Sequence, residues 1–243
     1  MLDATGDEVT VILRQTAMPE MSQDRLGSIL TRCYNKGLGG PDNWEKVVSL
    51  RVSGRLTVEA GEFEFNSYQK KPHYIKMTIH GPHGAWQAGY DGNVAWQVLA
   101  PHSAAPDPAA AEMDAEEARR FIQNGHFGNH LLYPYALGKQ IEYLDTVPVD
   151  GAICHQIRVT LESGFQVDYF VDIRTYLGCK TIMTDLRTGE VSETLWKDYF
   201  RESGIPIARK MVSSENGVWV STFELDKIMV NSGVMPWMFK MPK

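Results

Sequence analysis

The stretch from Ser49 to Leu99 constrains the fold most, because it holds five short runs of alternating apolar and polar residues with turn residues between each pair. Val52, Leu56 and Val58 share one parity, then Phe63 and Phe65, then Ile75, Met77 and Ile79, then Trp86 and Tyr90, then Trp96 and Val98. Period-two alternation places each set on one face of its strand. The turns read as Glu59-Ala60-Gly61, Lys71-Pro72, Gly81-Pro82-His83-Gly84 and Asp91-Gly92, and connections this short make neighbouring strands antiparallel. The expectation is a five-strand meander with one large, aromatic-rich apolar face.

The rest of the chain extends that pattern. Residues 1–20 carry a β-prone run, Val9 to Leu13, and read as a tail or an added strand; residues 21–243 read as one domain. Ser22 is a suitable N-cap for a helix with Leu26, Ile29, Leu30 and Cys33 at helical spacing, and Gly37-Leu38-Gly39-Gly40 supplies residues that end it. A short helix follows, with Pro41 in its first turn and Trp44, Val47 and Val48 on its apolar side. After the meander, Pro101 to Pro108 is a Pro/Ala-rich connector. Asp107 and Pro108 are expected to open a helix carrying Met113, Ala118, Phe121 and Ile122 to a stop near Gly125. Strands resume near residue 140 and run to Ile228, with Gly164, Gly189, Gly204-Ile205-Pro206 and Asn216-Gly217 between them. The fold class is α+β and mostly β: a single curved antiparallel sheet of about ten or eleven strands, with helices packed on one side.

Composition excludes several function classes. The chain has 243 residues, 43% of them hydrophobic, enough for a substantial core, and a net charge of 24 − 30 = −6. No Lys/Arg run exceeds a pair, so there is no electrostatic footprint for nucleic acid. Nothing approaches the ~20 consecutive apolar residues that span a bilayer. The opening MLDATGDEVTVILRQ has neither a basic n-region nor a long apolar h-region, so it does not read as a signal peptide. Cys33, Cys154 and Cys179 are too scattered for a disulfide framework or a zinc site. Cys154 and Cys179 are expected on strands two apart, ~9.6 Å from each other, and therefore unbonded.

Candidate chemistry is sparse. His126 and His130 have an i, i+4 spacing, but Gly125 and Gly128 disfavour a helix there and ordinary loop packing is the better account. His80 and His83 flank a turn. The glycines at 37–40 end a helix rather than open one, which argues against a phosphate cradle. No G-x-S-x-G elbow or catalytic-thiol signature is present. Asp168 with Asp172, and Glu62 with Glu64, share strand parity and could in principle act as acid and base, but they fit better as the solvated face of a one-sided sheet. No metal, cofactor or catalytic group is expected. Large apolar side chains on ten or eleven strands face only about three short helices, which leaves room for a ligand cavity.

The order of landmarks resembles the outer-membrane lipoprotein-sorting protein family, the LolA-like superfamily. Those landmarks are the helix ending at Gly39-Gly40, Leu50-Arg51-Val52-Ser53-Gly54, Lys70-Lys71-Pro72, Tyr90-Asp91-Gly92 with Ala95-Trp96, Val171-Asp172 with Leu177, Asp198-Tyr199-Phe200 with Gly204-Ile205-Pro206, and Phe239-Lys240-Met241-Pro242. The resemblance spans roughly Ser22 to Pro242. It implies a half-open β-barrel whose helical lid, here residues 101–138, covers acyl chains, and a non-enzymatic periplasmic carrier of a lipid or acylated lipoprotein that exchanges cargo with a membrane transporter or acceptor protein. The family's lid-locking arginine is replaced by Lys71, which keeps the charge but lacks the planar five-donor fork. The pocket is expected from Leu56, Phe63, Phe65, Ile75, Met77, Trp86, Tyr90, Trp96, Met113, Phe121, Tyr169 and Trp196, with Trp86, Trp96 and Phe65 together on the concave face. The same fold also resembles the lipid-sensing domain of an envelope-stress regulator, so a protein-interaction module is the rival reading.

Overall fold

The computed structural model describes residues 25–82, 84–98, 109–134 and 136–242. The expected run at Val9 to Leu13, the Ser22 cap, His83 and the connector at 101–108 lie outside these residues. Thirteen strands are described, all antiparallel to their neighbours: β1 Ser49–Val58, β2 Gly61–Lys70, β3 Tyr74–Gly81, β4 Gly84–Tyr90, β5 Ala95–Val98, β6 Ala110–Glu112, β7 Lys139–Val149, β8 Ala152–Leu161, β9 Phe165–Asp172, β10 Gly178–Asp185, β11 Val191–Glu202, β12 Ile205–Glu215 and β13 Val218–Val230. Their order is β6-β5-β4-β3-β2-β1-β13-β12-β11-β10-β9-β8-β7, and the sheet is not closed into a barrel. The helices are α1 Arg25–Arg32, α2 Pro41–Lys46 and α3 Ala115–Asn124, with 3₁₀ turns at His130–Leu132 and Pro236–Phe239. None of these helices is long and apolar enough to cross a membrane.

The meander therefore forms as its alternation requires, and the strand count exceeds ten or eleven partly because Ala110–Glu112 joins the sheet. That strand corrects the expected helix start. Asp107 and Pro108 lie outside the described residues, and α3 begins only at Ala115, where the Asp114 carboxylate accepts the Glu116 and Glu117 backbone N–H groups at 2.9 Å each and Glu117 accepts the Asp114 N–H. This capping box satisfies the orphan donors of the first turn and fixes where the helix starts.

The chain divides into two compact units. Among the described residues, one comprises those from 25 to 46 and from 129 to 219, the other those from 47 to 128 and from 220 to 242. In the first unit, Ile29 and Leu30 of α1, with Cys33 just after it, pack with Ile157, Val159, Val167, Tyr169 and Val171 of β8 and β9 in one apolar core. A π-helical turn, Cys33–Gly37, continues α1, and Gly39 and Gly40 at φ 96° and 81° end the segment as the sequence suggested. Asp168 departs from expectation. It is buried, not solvated, and accepts two hydrogen bonds from Arg158, at 2.7 and 2.8 Å. A fork of this kind holds two strands in register and gives no free acid or base. Asp172 accepts the N–H groups of Arg174 and Thr175 and so shapes the turn after β9.

All three cysteines are free. Cys154 and Cys179, expected on strands two apart, are thus unbonded. Cys154 faces Asp172 of β9, Cys179 sits at an irregularity in the β9–β10 register, and each thiol influences the ionisation of the other. Burial pushes the Cys33 and Cys154 thiols up to about 12, so at pH 8 almost none of either is thiolate, the reactive form. Alkylation with a thiol reagent at pH 8 should be slow at both residues in native protein and should reach three thiols per chain in denaturant.

Candidate functional site

Register decides which side chains share a face, because directly opposed residues of an antiparallel pair project the same way. In the second unit Leu56 opposes Phe63, Phe65 opposes Ile79, Ile79 opposes Trp86, Met77 opposes Ala88, and Ile75 opposes Tyr90. Leu56, Phe63, Phe65, Ile75, Met77, Trp86 and Tyr90 thus lie on one face, as the sequence suggested. Phe223 of β13 joins them, its ring edge-on to Phe65 with centroids 5.0 Å apart. Leu56, Phe65 and Ile75 are buried, whereas Phe63, Met77, Ile79 and Trp86 are only half-buried.

Helix α3 belongs to this same face. The Gln97 side chain, which opposes Ala88 and so points to the apolar side, donates to Glu117 of α3 at 3.3 Å. At the far end, Gly125 approaches Ile75 so closely that an added Cβ would meet the isoleucine at 2.6 Å. No residue of α3 is fully buried, and Phe121 and Met113, expected above the pocket, are half-buried. The helix is therefore a partial cover. Lys71, expected as a lid contact, places its ammonium 5.8 Å from the centre of the Phe127 ring, in the segment just beyond α3.

Trp96 does not join the apolar face, which corrects its expected place beside Trp86 and Phe65. Four residues, Asp91 to Val94, connect Tyr90 to its partner Ala95, so Trp96 opposes Gly89 and projects to the other side with Lys76. There it is fully buried, and its indole N–H donates to the Phe239 carbonyl at 2.7 Å. The indole lies so close over Gly89 that a Cβ would meet it at 2.5 Å. Glycine in mid-strand here permits an aromatic ring to cover the backbone. Trp96 is accordingly a core residue that fastens the C-terminal turn.

Tyr169 and Trp196 belong to the first unit. The Tyr169 hydroxyl accepts the His130 N–H at 3.2 Å inside the packed core, and burial raises its pKa. The Trp196 indole donates to Thr181 at 3.1 Å and is half-buried. Among the described residues no cluster of His, Cys, Asp and Glu could hold a metal.

No family model and no curated protein matches the sequence. Solved structures do match the fold. A LolA-superfamily protein from Nitrosomonas europaea superposes with a TM-score of 0.59 at 10% identity, over 91% of this chain and 98% of that one. A putative outer membrane lipoprotein-sorting protein domain from Vibrio parahaemolyticus gives 0.55 at 10% identity over 82% and 93%. A DUF1329 family protein from Desulfovibrio piger gives 0.59 at 11% identity over 88% and 95%. The chain has the LolA-like fold.

Two changes test the placement of Trp96. Trp96→Ala should lower unfolding free energy by the ~3–5 kcal/mol typical of a core tryptophan. Gly89→Ala, which adds one methyl under the indole, should also destabilise in urea denaturation; a wild-type midpoint in either variant would contradict this geometry.

Proposed function

We propose that this chain is a non-enzymatic carrier or binder of a lipid or an acylated protein, acting in the periplasm. The observation that carries this reading is the half-buried apolar face at Phe63, Met77, Ile79 and Trp86, flanked by a helix with no buried residue of its own. A face of this composition is suited to an acyl chain, whose burial contributes ~0.8 kcal/mol per methylene before ordering costs. The LolA-like fold supports it, since one similar structure is described as a lipoprotein-sorting domain. Cargo would enter as α3 lifts, because a segment held by few buried contacts opens at low free energy. The seat is formed by Leu56, Phe63, Phe65, Ile75, Met77, Trp86 and Tyr90, with Met113 and Phe121 contributed by the cover. A donor or acceptor protein completes the exchange.

Binding of fluorescent fatty acids of increasing chain length tests this directly. Affinity should climb with length, and Met77→Asp should abolish it, since a charge on that face must be hydrated or neutralised. Because Met77 is only half-buried, the thermal midpoint of the variant should stay near wild type. Wild-type protein that binds no probe of any length would contradict the carrier reading and leave an interaction module as the better account.

A further inference from the structure

The opposite face of the meander carries a different chemistry. One row across β1, β2 and β3 reads Arg51, Tyr68, Lys76, and the next row across β2, β3 and β4 reads Asn66, Thr78, Gln87. With Met238 from the 3₁₀ turn at Pro236–Phe239, these side chains line an open groove of about 380 Å³. The Arg51 guanidinium lies 5.2 Å from the centre of the Tyr68 ring, and the Lys76 ammonium 5.5 Å from that of Trp96. Cations resting on rings keep a preferred orientation while leaving their donors for another partner.

Neither cation is neutralised. No carboxylate among the described residues lies within ion-pair distance of Arg51 or Lys76. Arg55, two residues further along β1 from Ser53, shows the contrast: Glu62, Glu224 and Asp226 surround it at 3.7, 3.5 and 3.8 Å. In the register, Asp226 stands in the β1–β13 bulge beside Ser53 and Gly54 and meets Arg55, Glu64 opposes Arg55 and His80, and Glu112 ends the row of Lys76 three strands away, beyond Gly89 and Trp96. Lys76 is half-buried, and burial lowers its pKa, so this charge stands in a place that an anion would favour.

The 3₁₀ turn adds a second observation. Phe239 is buried beside Tyr74 and Met238 lines the groove, yet Trp237 just before them is 68% exposed and Met235 49% exposed. An exposed tryptophan beside uncompensated cations matches a membrane surface, where indole rings sit at headgroup level and Lys or Arg meets phosphate. Arg51 and Lys76 stand on strands two apart, ~9.6 Å between their backbones, which lets both side chains reach one phosphate lying over Tyr68. The net charge of −6 does not oppose this, since at physiological salt charges are screened beyond ~8 Å and the local pair dominates.

We propose that the groove and residues 235–238 form a docking surface for an anionic phospholipid bilayer, with a headgroup phosphate between Arg51 and Lys76 and Trp237 at the interface. This surface lies on the face of the sheet away from the apolar seat and stands whether or not that seat holds an acyl chain.

Co-sedimentation of the full chain with vesicles tests it. The protein should bind vesicles of phosphatidylglycerol and phosphatidylcholine, release them as salt is raised, and ignore pure phosphatidylcholine. Arg51→Gln and Lys76→Gln should each weaken binding about fivefold, the contribution of one cation near such a surface. Trp237→Ser should weaken it as well, while Arg209→Gln on β12 should match wild type. Arg51 is exposed, so Arg51→Gln keeps the test valid if Lys76→Gln fails to fold. Fatty-acid probe binding should be unchanged in Arg51→Gln, which separates this surface from the acyl seat. Equal binding to pure phosphatidylcholine, wild-type vesicle binding in Arg51→Gln, or binding of inorganic phosphate without any vesicle binding would overturn the proposal.

Discussion

The contact between the Trp96 indole and Gly89, closed by the hydrogen bond to the Phe239 carbonyl, determines what each face of the meander can do. A buried indole N–H without a partner would be costly, so the carbonyl that satisfies it also fixes where the C-terminal turn lies. That turn covers the Trp96 side of β3 and β5 and brings Met238 to the edge of the groove. Phe63, Met77, Ile79 and Trp86 are left on the other side, with α3 as their neighbour. One sheet thus offers two surfaces with unlike chemistry.

Much of this was legible in the sequence, and the reason is the period of two. Each strand's apolar parity, the short turns between β1 and β5, and the glycines that end the α1 segment follow from local rules, and the structure agrees with them. The LolA-like order of landmarks also points to the fold observed. Trp96 departs from its expected face because parity within one strand says nothing about its phase relative to the next. The loop sets that phase, and four residues between Tyr90 and Ala95 turn Trp96 away from Trp86. Gly89 was the available signal, as a mid-strand glycine opposite a tryptophan marks a ring lying on backbone.

Other details depended on tertiary pairing. Asp168 has the parity of a solvated residue, but Arg158 on the adjacent strand stands opposite it and holds the buried carboxylate in a half-buried ion pair. The start of α3 was readable, since Asp114 and Glu117 have capping-box spacing, yet Asp107-Pro108 offered a competing start and the short strand at Ala110–Glu112 had no alternation to reveal it. The groove beside Arg51 and Lys76 was not legible at all. Its two cations are 25 positions apart in the chain (76 − 51 = 25) and meet only because two hairpins align them.

Which face of the meander takes an acyl chain decides how the protein works. Methyl-labelled protein titrated with a spin-labelled fatty acid measures this, because the nitroxide broadens only nearby resonances. The methyl signals of Met77 and Ile79 should broaden at low probe concentration, while that of Thr78, between them in sequence but on the opposite face, should broaden distinctly less. Broadening of Thr78 with Met77 and Ile79 unaffected would contradict the assignment of the two faces.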